Sequence, residues 1–350
     1  MALQLRVSHR IDALGGHVSY SWDCPDGVNF DPHASGPPLW LHRLVGRDYE
    51  CYVSQITSVR ISANLTDEDV RAIGSLKGLR ALVLDNSEIS DAQMAYLVGL
   101  NELHTLELGN TAISDAGLKL LGLMPKLERL GLSGTDVTGS GLDGFGGLRS
   151  LDLTYTSVTD DRLRSLRQMR SLRELILART DVSDAGLEHL DELANLTCLD
   201  LYGAEAVTDT GLVHLKGLTN LTDINFGETQ VRGAGLIHLS GFTNLATLDL
   251  SETATSDSGI ANLKGLINLM KLDLSQTEIS DSGIASLKGL TNLTSLRLSH
   301  TETSDAALQY LKGLPNLDDL DLYRTRVTAD GIADFRKVMP KCNVFCKTIK

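Results

Sequence analysis

The chain has 350 residues, of which 42% are hydrophobic and 22% are charged. This composition excludes a disordered or collagen-like protein and allows a large core or two ordinary domains. Acidic residues outnumber basic ones by 45 to 32, for a formal net charge of −13. Because such a chain repels phosphate backbones, we expect no nucleic-acid partner. Aromatic residues make up only 5%, which indicates a core built mainly from leucine.

The N-terminal sequence has no targeting signal. Met1 to Arg10 lacks the apolar run of a signal peptide, and nowhere do about 18 apolar residues follow one another. We therefore predict a cytoplasmic protein without a membrane span, and export after removal of a leader stays open. Five cysteines are too few for a disulfide scaffold. Reduced thiols are expected, although Cys24 with Cys51 and Cys342 with Cys346 could pair in an exported protein.

Residues 1–55 form a segment with its own pattern. An amphipathic helix is predicted from Leu3 to Leu14, a strand over 17–22, turns at 24–27 and 35–38, and a second short helix over 38–45. We interpret this segment as an N-terminal capping region, because a stack of repeats needs its open end covered. A small functional head is the alternative.

The chain from 56 to 340 is a tandem repeat of the pattern LxxLxLxxTx[VIT][ST]DxGLxxLxxLxx. Nine of its twelve units are 24 residues long, and the first, fourth and seventh have 23, 21 and 25. The units, called repeats 1 to 12 below, start at Ile56, Leu79, Leu103, Leu127, Leu148, Leu172, Leu196, Leu221, Leu245, Leu269, Leu293 and Leu317.

Each unit encodes one strand and one helix. The alternation in LxLxx suits a short strand with one face inward. The Ser/Thr-Asp pair supplies a helix N-cap oxygen and a negative charge at the positive end of the helix dipole. Leucines three residues apart, such as Leu308, Leu311 and Leu314, then form an apolar stripe. Since one unit cannot bury its stripe alone, stacked units share one core, with parallel strands on one face and helices on the other. Residues 341–350 are predicted as a C-terminal capping strand and tail.

This pattern resembles the leucine-rich repeat proteins, and in particular the bacterial 24-residue "TDAGL" type. It is also similar to the cysteine-containing repeats of F-box substrate receptors, but those have Cys where nine units here have Thr, and we find no F-box-like domain. The resemblance implies an α/β solenoid with a curved parallel sheet on its concave face and helices on its convex face. The Thr at the ninth position of the unit is expected to satisfy backbone groups in the turn.

Three motifs typical of other chemistry are not interpreted as sites. Residues 139–144 match GxGxxG, but no Rossmann unit surrounds them. His189, His214 and His238 share one helix position in consecutive repeats, about 9–10 Å apart, too far to converge on one metal ion. We expect these histidines to be solvated. Cys198 is expected to be an exposed strand thiol, with nothing to mark it as a nucleophile.

The side chains at the third, fifth, seventh and eighth positions of a unit point away from the core. Acidic residues dominate the fifth position, and Asp249 and Asp273 stand there on adjacent strands. Like charges about 5 Å apart cost free energy unless water, a neighbour or a cationic ligand relieves them. Two interpretations stay open: an acidic track for a basic partner, or a soluble residue copied by duplication.

Repeats 5 to 7 differ from their neighbours on this face, because they present Tyr155, Ile176, Arg179 and Tyr202. Tyr and Arg are enriched at binding hot spots, and an outward Ile is easiest to explain by a contact. Scattered surface apolarity is the alternative.

We therefore predict a non-enzymatic module, without metal or cofactor, that binds a protein or peptide, in particular a basic one, through the concave strand face. The predicted contact residues are Asp152, Tyr155, Ile176, Arg179, Asp200, Tyr202, Asn225, Asp249, Asp273 and Asp321. The alternatives are an enzyme that uses the acidic column with calcium or magnesium, and a structural or cell-envelope repeat protein or secreted effector.

Overall fold

A computed structural model describes residues 2–22 and 54–346. They fall into two compact units, 1–152 and 153–350. The turns predicted at 24–27 and 35–38, the helix predicted over 38–45 and the Cys24–Cys51 pair lie outside the described residues. Cys342 and Cys346 are both free thiols.

The first unit contains the N-terminal segment and the start of the repeats. The helix Ala2–Ala13 and the strand His17–Trp22 match the elements predicted there. This strand pairs antiparallel with Ser54–Arg60, and the later strands of the unit follow in parallel. Its strands are β1 (His17–Trp22), β2 (Ser54–Arg60), β3 (Ala81–Val83), β4 (Thr105–Glu107), β5 (Arg129–Gly131) and β6 (Ser150–Asp152). Its helices are α1 (Ala2–Ala13), α2 (Asp67–Gly74), α3 (Asp91–Met94), α4 (Asp115–Leu121) and the 3₁₀ helix Leu142–Gly144.

The second unit consists of eight parallel strands with helices between them. The strands are β7 (Glu174–Ile176), β8 (Cys198–Asp200), β9 (Asp223–Asn225), β10 (Thr247–Asp249), β11 (Lys271–Asp273), β12 (Ser295–Arg297), β13 (Asp319–Asp321) and β14 (Asn343–Phe345). The α-helices are α5 (Asp160–Leu163), α6 (Asp184–Leu187), α7 (Asp257–Ile260), α8 (Asp281–Ser286), α9 (Asp305–Leu311) and α10 (Ala329–Val338). The 3₁₀ helices are Arg164–Gln168, Glu188–Leu190, Gly211–Leu215, Ala234–Leu239, Ala261–Gly265 and Leu287–Gly289.

The core of each repeat is the predicted leucine set. Leu172, Leu175 and Leu177 of repeat 6 are fully buried, and so is Leu187 on its helix. Because these positions recur in every repeat, the apolar side chains form a shared layer between strands and helices, which confirms the predicted α/β leucine-rich repeat fold.

The helices are shorter than the sequence pattern predicts. Repeats 4, 7 and 8 have only a 3₁₀ helix. In repeats 4 and 8, glycines stand where nine other repeats have Asp and repeat 12 has Ala329. These two residues, Gly139 and Gly233, have positive φ, at 94° and 105°. Without that carboxylate and with a left-handed residue in its place, no α-helical first turn begins there.

The helix-start Asp does more than the sequence predicts, because its carboxylate binds the next repeat. In repeat 6, Asp184 accepts hydrogen bonds from the Thr208 N–H at 2.7 Å and from the Thr208 hydroxyl at 2.6 Å. The same two bonds, at 2.7–3.0 Å and 2.5–2.6 Å, join Asp91 to Ser114, Asp115 to Thr138, Asp160 to Ser183, Asp257 to Ser280, Asp281 to Ser304 and Asp305 to Thr328. We call each such pair an aspartate rung.

The turn after each strand is closed by the ninth-position Thr. Its hydroxyl donates to the carbonyl oxygen three residues earlier, at 2.6–2.9 Å in all nine repeats that have Thr. The residue before it has φ between 52° and 66° in repeats 2 to 12. Because every such repeat adopts this left-handed conformation, the positive φ of Tyr155 and Arg179 belongs to the repeat and is not a sign of function.

Candidate functional site

The acidic fifth position has a structural role that neither sequence interpretation included. The Oδ1 atom of the side chain accepts a hydrogen bond from the N–H two residues later, at 2.8–2.9 Å. Five of the predicted contact residues make this bond and are half-buried: Asp200, Asn225, Asp249, Asp273 and Asp321. These Asp and Asn side chains therefore hold the backbone where each strand ends, and the Oδ1 atom of each is already engaged in a hydrogen bond.

The predicted close approach of Asp249 and Asp273 is present. The two residues are directly paired between β10 and β11. Burial raises the pKa of Asp249, the bonds from Ser251 oppose that rise, and the neighbouring Asp273 adds to it. Arg297 relieves the repulsion from one side, because its Nη1 lies 3.2 Å from Oδ2 of Asp273.

Arg179, Tyr202 and Glu228 form a cluster across three consecutive repeats. The Cζ atom of Arg179 lies 4.9 Å from the centroid of the Tyr202 ring. Arg179 forms an ion pair with Glu228, and the Tyr202 hydroxyl donates to the same carboxylate. The bond to Glu228 raises the pKa of Tyr202. Two of the predicted contact residues are thus brought together and held by each other.

The sequence prediction missed Glu228. The sequence does contain a sign of it: the eighth position is Arg179 in repeat 6, Gly203 in repeat 7 and Glu228 in repeat 8. A Cβ atom on Gly203 would lie 2.9 Å from Cδ of Arg179. Because Gly203 has no side chain, Arg179 has room to cross repeat 7 and reach Glu228.

Tyr155 is the exposed member of this region. Its side chain is 63% exposed, while its N–H donates to the carbonyl oxygen of Ala178 at 3.0 Å. The backbone of Tyr155 is therefore held by the next repeat while its side chain is exposed. Ile176 is only half-buried at the end of β7, and Asp152 lies half-buried at the end of β6 in the first unit.

Two exposure predictions are wrong. His189 is buried, at 9% exposure, and its Nδ1 atom has no hydrogen-bond partner, whereas His214 and His238 are half-exposed. Cys198 is half-buried. Burial, with help from Glu174, Asp223 and Asp200, raises the pKa of its thiol to about 11. For Cys198, Glu174 and Asp223 belong to the repeats on either side, so a single repeat does not reveal its surroundings.

The motif at 139–144 ends in a 3₁₀ helix of three residues, Leu142–Gly144. A helix this short offers no extended N-terminus to a pyrophosphate group. Among residues 2–22 and 54–346, no three His, Cys, Asp or Glu side chains are grouped in a way that could hold a metal ion. None of the described helices is long and apolar enough to cross a membrane.

Comparison with known proteins agrees with this geometry. A family model described as a leucine-rich repeat matches residues 168–190 and 265–288. No curated protein matches the chain.

Solved structures resemble it at low identity. An internalin, inlF of Listeria monocytogenes, is 21% identical with a TM-score of 0.60, over 82% of this chain and 90% of its own. A leucine-rich repeat protein of Leptospira interrogans is 19% identical with a TM-score of 0.60, over 80% and 74%. The plant peptide hormone receptor RGFR1, in complex with RGF2, is 15% identical with a TM-score of 0.53, over 84% and 52%. The twelve repeats, the strand–helix architecture and these matches show that the chain has a leucine-rich repeat fold.

Proposed function

We propose that the protein is a non-enzymatic interaction module that binds a protein or peptide through the strand face of the second unit. The observation that supports this most directly is the exposed ring of Tyr155 in the repeat before the ordered Arg179–Tyr202–Glu228 cluster. A fixed aromatic and arginine surface binds with little loss of side-chain entropy, which is typical of interface hot spots.

The charge of the same face supports a basic partner. The outward positions of repeats 7 to 9 contain five acids and no base: Asp200, Asp223, Glu228, Asp249 and Glu252. Arg179 neutralises one of them. Because the remaining acids extend over adjacent strands, their field favours approach of a cationic segment.

The plant receptor that this fold resembles is described in complex with RGF2, and that description is consistent with a peptide partner for this chain. The likeness itself establishes the fold and leaves the partner to experiment.

Affinity capture from the native cell, with the full chain as bait, tests the proposal. Tyr155→Ala and Tyr202→Phe remove the exposed ring and the Glu228 hydrogen bond respectively. We expect Tyr155→Ala to deplete specific partners at least several-fold and Tyr202→Phe to deplete them less. The matched control is Tyr310→Ala, because Tyr310 is 42% exposed on helix α9. Equal capture by all variants would contradict the proposal.

A further inference from the structure

The end of the strand face in repeats 10 to 12 contains a second surface of distinct chemistry. An open groove of about 570 Å³ lies over β11, β12 and β13 and reaches β14. Asp273, Arg297, Asp319 and Asp321 line its floor, and Phe345 forms its far wall with 54% of the side chain exposed. An aromatic residue of the last described strand thus faces solvent beside a polar floor.

The charges of this groove are not balanced. Arg297 lies between Asp273 and Asp321 in the strand register, but its guanidinium pairs with Asp273. The known contacts of Asp321 and Asp319 are the Tyr323 N–H, at 2.9 Å, and the Asn343 amide, at 3.4 Å. Among the described residues neither carboxylate has a cationic partner.

The aromatic wall stands next to these carboxylates. Phe345 is paired directly with Asp321 across β13 and β14, so their side chains leave the sheet about 5 Å apart on the same face. Asp319 lies two residues before Asp321 and therefore on the same face. The negative charge of Asp319 also acts on Cys342. Burial, and then Asp319 and Asp318, raise the pKa of this thiol to about 11.

We propose that this groove binds an arginine side chain of the partner peptide. A guanidinium can stack on an aromatic ring with its apolar faces while its N–H donors reach two carboxylates in one plane. A lysine ammonium lacks the planar fork, and an uncharged side chain leaves the two carboxylates unpaired. The inference rests on the proposed function and adds which residue type of the partner the groove recognises.

The test is selection of a displayed library of random peptides on the immobilised full chain. Peptides of about 12 residues span about 40 Å when extended, and six strand spacings from repeat 6 to repeat 12 take about 29 Å. The groove variant is Asp319→Asn/Asp321→Asn, in which the amide oxygen at 321 still accepts the Tyr323 N–H. The control with the same net charge is Asp318→Asn/Asp330→Asn, at exposed positions outside the groove.

We expect peptides selected on the native chain and on the control to be several-fold enriched in arginine. On the groove variant that enrichment should fall to the library level. A selected arginine peptide should bind the groove variant and Phe345→Ala about tenfold more weakly, from the lost ion pair and stacking. Replacing its arginine by lysine should also weaken binding.

Three results would overturn the inference. Peptides selected without arginine enrichment, or with equal enrichment on the groove variant, would leave the proposed function standing and remove the arginine site. If arginine peptides bind the variant Lys347→Gln/Lys350→Gln but not the native chain, the groove's ligand in the native chain is its own Lys347 or Lys350. Failure to select any peptide on the native chain would count against both the site and the proposed function.

Discussion

Arg10 of helix α1 forms a two-pronged ion pair with Asp69 of helix α2. Its Nε lies 2.7 Å from Oδ1 and its Nη2 lies 3.3 Å from Oδ2, and Asp69 is only 7% exposed. Asp69 also accepts from the Thr66 N–H and hydroxyl at the N-cap of α2. One carboxylate therefore joins the N-terminal helix to the first repeat.

This ion pair predicts an acid-sensitive N-terminal end. The Arg10 hydrogen bond lowers the pKa of Asp69 from its ordinary 3.8 to about 2. Because the pKa is depressed in the folded state, the stabilisation is fully present above pH 4 and is lost as the pH falls toward 2. We expect the protection of residues 2–13 from hydrogen exchange, measured relative to the intrinsic exchange rate at each pH, to fall over that range.

Arg10→Met is the matching variant. It should speed exchange of residues 2–13 already at pH 7 and flatten the pH dependence. Lys77→Met, which removes another exposed cation from the same unit, should leave that exchange unchanged. Identical exchange in the native chain and Arg10→Met would show that the ion pair does not hold α1.

The aspartate rungs predict a large cost for a residue on the surface. Asp281→Ala removes the acceptor for the Ser304 N–H, the Ser304 hydroxyl and the Ala307 N–H, so we expect a loss of about 1–3 kcal/mol. Asp330→Ala, at an exposed position in the first turn of α10, should cost at most about 0.5–1 kcal/mol. Urea unfolding of both variants measures the difference, and equal losses would refute the role of the rung.

Gly186 shows how tightly the repeats stack. A Cβ atom there would overlap Oδ1 of Asp160 and lie 2.9 Å from Cγ1 of Val182. Gly186→Ala should therefore displace the carboxylate that binds Ser183 and cost about 1–3 kcal/mol. Gly289→Ala is the control, because nothing lies within 4 Å of its Cβ position. A thermal unfolding midpoint equally unchanged in both variants would contradict this packing.

The thiols should react unequally. Because burial raises the pKa of Cys198 and Cys342 to about 11, little thiolate forms on either at pH 8. Cys346 is exposed. We expect iodoacetamide to label Cys346 at least tenfold faster than Cys198 or Cys342, measured by peptide mass spectrometry over time. Denaturation in urea should bring the three rates together, and a Cys198 that reacts as fast as Cys346 would contradict its burial.

The repeat period was enough to predict the fold. A Leu at fixed positions in twelve units determines which side chains share a core, so the strands and their order followed from spacing, while the 3₁₀ helices of repeats 4, 7 and 8 did not. Contacts between repeats were harder to predict. The period places Asp184 and Thr208 one unit apart, but their bond depends on the stacking of the two helix starts, which no single repeat contains.

The candidate site was predicted only in part, again because a single repeat does not contain the contacts between repeats. Tyr155, Arg179 and Tyr202 were found because their residue types depart from the repeat. Glu228 was missed because acids are common on this face and only the three-dimensional crossing over Gly203 singles it out. His189 shares its repeat position with His214 and His238, yet Arg167 of the preceding repeat reaches the carbonyl oxygen of Glu188, at 3.4 Å, beside it. Equal position in a repeat does not give equal exposure.

The series of rungs is interrupted within the second unit, and this interruption gives the stack a weak joint. Repeat 8 has Gly233 in place of Asp, so Ser256 has no carboxylate partner there, and its hydroxyl lies 3.0 Å from that of Ser258. The backbones of Gly233 and Gly259 approach so closely that a Cβ on either would overlap the other. At their helix starts, repeats 8 and 9 are thus joined by neutral hydrogen bonds, from the Ser256 N–H to the Arg232 carbonyl oxygen at 3.4 Å and from the Asn262 amide to the Gly233 carbonyl oxygen at 3.2 Å, where repeats with a rung have charge-assisted ones. Partial unfolding of the second unit should start or stop at this seam, so that repeats 9 to 12, with the second groove, can open as one block.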